Sequence, residues 1–220
     1  MTHLTLDFIS DVACPWCAVG LASLLQALGD CQDVVTASLH FQPFELNPDM
    51  PPEGEDAEAH MARKYGSTPE RSAEIRNLLA QRGAVAGVHF APQGRRLIVN
   101  TFDAHRLLFW AGQVSAEQQL ALKQALLRAY HEQDARVDHA DVLLGIVREV
   151  GLDAEHARQI LESDAFAADV RAAEQRWQSA GIHSVPSIII NGKYAINGGQ
   201  LPVVFEQALR KVAQSEAAVA

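Results

Sequence analysis

The chain is 220 residues long, 48% hydrophobic and 20% charged, with a formal net charge of −9. A chain of that length buries a core without staples, and its apolar share is ordinary for a globular protein. The acidic balance excludes the basic stripe of a nucleic-acid surface, and no window nears the roughly 18 apolar residues needed to span a bilayer.

In "HLTLDFI", residues 3–9, Leu4, Leu6 and Phe8 alternate with polar neighbours, the period of a strand. From Pro15 to about Leu28, apolar Trp16, Val19, Leu24 and Leu28 recur at helical spacing, with Gly29 as the expected stop. "VVTASLHFQPFEL" is rich in β-branched and aromatic residues and predicts a second strand, ended by Pro43 or Pro48. Strand, helix, strand over this span is a βαβ unit, which implies a parallel pair.

Beyond the proline-rich "NPDMPPEGED", roughly residues 55–180 carry almost no strand signal but clear helix punctuation. Ser67 with Glu70 and Ser115 with Gln118 make capping-box patterns, and Thr101, Asp138 and Asp153 stand where helices open. Gly151 and Gly181 stand where helices close. Strand character returns in "SVPSIIING" and "KYAING", joined by the hairpin signal Asn191-Gly192, and "LPVVFEQALRKVA" predicts a last amphipathic helix. The alanine-rich last half-dozen residues are expected to be disordered. The order βαβ, helices, ββα is an α/β, thioredoxin-like layout with a large inserted all-helical domain. The expected boundaries are 1–50 and 181–220 for its two halves and 51–180 for the insertion.

The N-terminal "MTHLTLDFISD" lacks a positively charged n-region, an apolar h-region and a small-residue cleavage site, so a cytoplasmic location is expected. Three cysteines are too few for a disulfide scaffold, and a close pair in a reducing compartment points to catalysis or metal binding. Two of them are in "SDVACPWCAVG", as Cys14-Pro15-Trp16-Cys17. At i and i+3 on the first turn of a helix, two cysteines share a face within bonding reach. The helix N-terminus favours the thiolate of the first, and Pro15 has no N–H to leave unpaired. Cys14 is therefore expected to be an exposed nucleophile and Cys17, a turn deeper, the resolving thiol.

Zinc usually needs four ligands and one C-x-x-C supplies two, so no metal is expected. A pair of inert buried cysteines is the other bland reading, and the strand-to-helix junction with Pro15 argues against it. Trp16 offers the thiolate little beyond an indole N–H, which predicts a milder oxidant than the strongest of this chemistry. Cys31 lies 14 positions past Cys17, beyond the far end of the helix, and reads as a structural thiol. Val185-Pro186 opens the first strand after the helical block. X-Pro bonds are cis in only about 5–6% of folded cases, yet in this layout the loop meets the C-P-x-C turn and a cis bond is expected.

On "SDVACPWCAVG", "FQPFELNPDMP", "NTFDAHRLLFWA" and "GIHSVPSIIINGKYAINGGQ", the chain resembles the DsbA-like oxidoreductases of the thioredoxin superfamily, and more narrowly their cytoplasmic FrnE-like branch. The resemblance implies a protein-disulfide oxidoreductase with Cys14 as nucleophile, Cys17 as resolving thiol and Pro186 as the cis-proline of a substrate groove. Pro15, Trp16 and Val185 line that groove. Some FrnE-like proteins carry a second cysteine pair near the C-terminus, whereas no cysteine follows Cys31 here.

Through Asn100, His105 and Arg106 the chain also resembles kappa-class glutathione transferases and 2-hydroxychromene-2-carboxylate isomerases, which typically have serine where Cys14 stands. Alternatives are therefore a glutathione-dependent transferase or isomerase on a small aromatic substrate, and a non-catalytic binding protein using the inter-domain groove. His105 reads first as a packing residue and second as an acid or base. Asp11 is placed to bond the loop before Cys14, or is an ordinary turn residue. Gly198, Gly199 and Gln200 form a loop into the last helix, with substrate contact at Gly199 and Gln200 as a secondary reading. No bound cofactor is expected, with glutathione as a candidate redox partner. Partners are protein or small-molecule thiols and disulfides, not nucleic acid or membrane, and the chain is a monomer or a homodimer.

Overall fold

A computed structural model describes residues 1–218. The chain begins with β1 (Thr2–Ser10), α1 (Pro15–Asp30) and β2 (Val35–Pro43). Then come β3 (Glu55–Asp56), α2 (Ala57–Tyr65), α3 (Pro69–Ala86) and β4 (Leu97–Ile98). Helices α4 (Phe102–Val114), α5 (Ala116–His131), α6 (Ala140–Glu149), α7 (Ala154–Leu161) and α8 (Ala167–Ser179) follow. The chain closes with β5 (Ser187–Ile190), β6 (Tyr194–Asn197) and α9 (Pro202–Ala217).

The main sheet has the order β2-β1-β5-β6. β1 pairs with β2 in parallel, as a βαβ crossover requires, and with β5 antiparallel, setting Phe8 opposite Phe41 and Ile188. Leu4, Leu6, Phe8, Ile188 and Ile190 form one face and pack with Leu21 and Leu24 of α1 and Phe205 and Leu209 of α9. A second apolar cluster joins α4 to α7, from Leu107 and Leu126 to Val147 and Ile160. α5 bridges the two: Leu122 and Leu126 face the helical cluster, while Leu120 and Leu127 face the sheet side.

Several expectations are corrected in detail. Helix α1 runs through Gly29 to Asp30, because the Cys31 N–H closes the last turn on Ala27 O. The cap of α3 is Thr68, which accepts from Arg71 N, one residue past Ser67. Helix α6 is capped at His139, since the Asp138 carboxylate is held by Arg136. The inserted block is not all helical: β3 and β4 pair antiparallel, too short to show a period of two. The terminal residues expected to be disordered are helical to Ala217, because α9 buries Val212 and Ala213; the last two residues of that stretch lie outside the described ones. The hairpin between β5 and β6 turns at Asn191 and Gly192, both at positive φ, where the pair Asn-Gly costs least.

Candidate functional site

The end of β1 delivers the chain straight into α1. Cys14 is the N-cap residue of α1 in extended backbone, Pro15 occupies the first turn, and Cys17 N–H donates to Cys14 O at 3.0 Å. Both thiols are free and buried, with no disulfide between them. The Val185-Pro186 peptide is cis, and Cys14 Sγ donates to Val185 O at 3.6 Å. Two glycines let the backbones close in here. A Cβ on Gly20 would meet Pro186 Cγ at 3.0 Å, and one on Gly199 would meet Trp16 O at 2.7 Å. The structure thus brings Cys14, Pro15, Trp16, Cys17, Val185, Pro186 and Gly199 together.

Cys14 itself departs from expectation. It is only 4% exposed, not open to solvent, because the Val185 carbonyl lies against its sulfur and the sulfur joins the sheet-side apolar cluster. Pro15, Trp16 and Val185 around it are half-buried. The Cys17 thiol beside Cys14 holds the Cys14 thiol below the ordinary value against the opposing effect of burial, with help from the N–H groups of Cys17 and Trp16. Burial pushes the Cys17 thiol well up, and the neighbouring Cys14 adds to this.

Asp11 is fully buried and is not an ordinary turn residue. Its Oδ1 accepts from Ala13 N at 3.0 Å and Thr101 Oγ1 at 2.7 Å, and its Oδ2 from Leu46 N at 2.7 Å. Burial alone would raise its pKa, but His105 and the Leu46 and Ala13 N–H groups outweigh it and hold the carboxyl at about 2. His105 is 2% exposed with Nε2 3.5 Å from Asp11 Oδ1, against the back of the Cys14 loop.

The other secondary residues have structural tasks. Asn100 Oδ1 accepts from Phe102 N at 2.8 Å and opens α4, because the Thr101 hydroxyl is spent on Asp11. Arg106 is 5% exposed and donates to Ala165 O, Ile160 O and Ser163 O, tying α4 to the α7–α8 connection. Gln200 Nε2 donates to Asn197 O at 2.7 Å within its own loop. Cys31 is fully buried with its sulfur 3.8 Å from Glu206 O, and it caps the opposite end of α1 from Cys14.

Sequence reasoning passed over Lys123 and His131. His131 Nε2 donates to Val12 O at 2.8 Å behind the Cys14 loop. Lys123 is 1% exposed and senses the charges of Cys17, Asp11 and Cys14. The signal was present: in "QLALKQALL" the lysine stands between Leu120 and Leu127, on a helix face that is otherwise apolar.

A βαβ and ββα frame, a dithiol at the mouth of its first helix and a cis-proline loop against the outer sulfur define a thioredoxin-fold protein. The model of the DSBA-like thioredoxin domain matches residues 5–210, and the chain belongs to that family. The chain is similar to a probable DsbA oxidoreductase from Streptomyces coelicolor, at 30% identity and TM-score 0.87, covering 97% of this chain and 91% of that one. It is 26% identical to YwbO of Bacillus subtilis (strain 168), over 91% of this chain and 92% of the relative. It also superposes on the cytosolic disulfide reductase DsbM of Pseudomonas aeruginosa, solved with GSH, at 17% identity and TM-score 0.65, covering 96% and 99%. No helix among the described residues is long and apolar enough to cross a membrane.

Proposed function

We propose that the chain is a protein thiol–disulfide oxidoreductase or isomerase of the cytoplasm, in the FrnE-like branch, working through Cys14 and Cys17. The Cys14 thiolate attacks one sulfur of a substrate disulfide, forming a mixed disulfide and releasing the other sulfur as a thiolate. Cys17 then attacks Cys14 sulfur, the substrate leaves as its second thiolate, and Cys14–Cys17 closes. The carrying observation is the geometry of the pair: Cys14 caps the N-terminus of α1, Cys17 follows within the first turn, and the cis Val185-Pro186 loop sets its carbonyl 3.6 Å from Cys14 Sγ; the opposite directions in which burial and the neighbouring thiol push the two groups support it. Pro15, Trp16, Val185 and Pro186 form the groove for the substrate chain, and residues 51–180 are an inserted, largely helical unit that backs the dithiol.

Glutathione is the proposed small redox partner; the DsbM structure with GSH, on a similar fold, supports it. The test is insulin reduction by single-cysteine variants. Cys14→Ser abolishes turnover, and Cys17→Ser traps a mixed disulfide on Cys14 that mass spectrometry detects. Glutathione conjugation of an aromatic electrophile surviving Cys17→Ser would instead assign a transferase or isomerase, and ligand binding indifferent to Cys14→Ser a non-catalytic binding protein.

A further inference from the structure

A cavity of about 400 Å³ lies between β4, the C-terminal end of α5 and the loop that leads to α6, within the size range of small-molecule sites. Neither Cys14 nor Cys17 lines it, nor does any of Pro15, Trp16, Val185 and Pro186. Its apolar wall is Leu97, Val99, Ala135 and Tyr130. The Tyr130 hydroxyl is spent on Leu97 O at 3.0 Å, so the phenol brings apolar surface and no free donor. The Arg96 side chain on the rim is 81% exposed, so the cavity is open to solvent.

Two guanidinium groups, Arg96 and Arg136, line the same space, and each is held by an aspartate of the loop after α5. Arg96 donates to Asp134 through its backbone N–H and Nε, which leaves Nη1 and Nη2 without a partner among the described residues. Arg136 donates to Asp138 through Nε and Nη2 and to Pro52 O through Nη2, which leaves Nη1 free in the same sense. A guanidinium clamped on one side by a carboxylate presents its remaining N–H groups in a set direction, a preorganised fork for a second carboxylate. Arg95, next in the chain, stands over the Tyr130 ring with its guanidinium carbon 5.4 Å from the centroid. It has no carboxylate partner among the described residues, and its Nε is buried and unbonded. Three arginines and the two aspartates thus carry one net positive charge, in a chain whose formal net charge is −9.

We propose that this cavity binds a small organic monoanion, a carboxylate head on a short aliphatic body. The free Nη groups that Arg96 and Arg136 bring to the cavity hold the head, and the body lies on Leu97, Val99, Ala135 and Tyr130. Other anions fit less well. Asp134 lines the cavity and repels a dianion such as a phosphate monoester, and a bare inorganic anion leaves the apolar wall uncovered. The site adjoins the rear of the dithiol loop: Val99 and Tyr130 pack in one apolar cluster with Val12 and Ala13, and His131 joins Arg95 to Val12 O. Binding there involves no redox step and does not depend on the dithiol reading.

The test is isothermal titration calorimetry of the reduced full chain with octanoate, and with 1-octanol as its uncharged counterpart. One octanoate is expected to bind per chain at sub-millimolar concentration, with the alcohol weaker by about tenfold or more, the share of a charge-assisted hydrogen bond. Arg136→Met is expected to weaken octanoate by about tenfold and leave the alcohol unchanged, and Ala135→Trp, which fills the cavity, to remove both. Arg96→Met, at an exposed side chain, gives the same comparison should Arg136→Met not fold. Cys14→Ser is expected to bind octanoate unchanged, so failure of the dithiol reading leaves this result standing. No saturable binding up to millimolar octanoate, equal affinity for acid and alcohol, displacement by equimolar inorganic phosphate, or binding that survives Ala135→Trp would each overturn the proposal.

Discussion

The Thr101 hydroxyl donates to Asp11 Oδ1 at 2.7 Å, and these two buried residues are 90 positions apart. One carboxylate thereby holds the start of α4, the loop before Cys14 and the backbone at Leu46. Removing it leaves three buried donors unpaired. Asp11→Ala is expected to destabilise the chain by about 3 kcal/mol or more, and Thr101→Val by about 1.5–3 kcal/mol, both read from urea unfolding.

Acid should expose the same residue. The folded pKa of Asp11 lies below its ordinary value of 3.8, at about 2, so its contribution is complete above the ordinary value. That contribution is lost as pH falls toward the folded value. About 2 kcal/mol should disappear between about pH 4 and pH 2, and Asp11→Asn should flatten the stability curve in that window.

Cys14 should titrate at 240 nm below the ordinary thiol value of 9.0, with Cys17 silent until well above it. Because the Cys17 thiol is the largest cause of the lowering, Cys17→Ala should raise the Cys14 midpoint. With Trp16 beside it, that midpoint should remain above the about 3.5 of the most acidic thiols of this kind. A midpoint unmoved by Cys17→Ala would leave the helix terminus as the cause.

Gly199→Ala places a methyl 2.7 Å from the Trp16 carbonyl, a backbone atom that cannot yield without moving α1. A cost of about 1–3 kcal/mol and slower disulfide exchange are expected together. If stability falls while exchange is untouched, the Gly199 contact does not position the dithiol.

Arg106→Met strips the donors from three carbonyls at the end of α7 and in the connection to α8, and should cost about 3 kcal/mol or more in thermal or urea unfolding. The Cys14 titration should not move, since Arg106 serves the helical block.

What was legible in the sequence was local. Leu4, Leu6 and Phe8 announced β1, Asn191-Gly192 the hairpin, and Ser115 and Asp153 their helices, because periodicity and capping act between residues a few positions apart. The Cys14-Pro-Trp-Cys17 turn was legible for the same reason, since a helix N-terminus imposes its field on its own first turn. Burial of Cys14, the Thr101–Asp11 bond and the burial of Lys123 were decided only when α4, α5 and the Val185 loop closed on α1. The Thr101–Asp11 and Cys14–Val185 contacts join residues 90 and 171 positions apart, and desolvation is set by everything that packs around a group at once, which no short window of sequence contains.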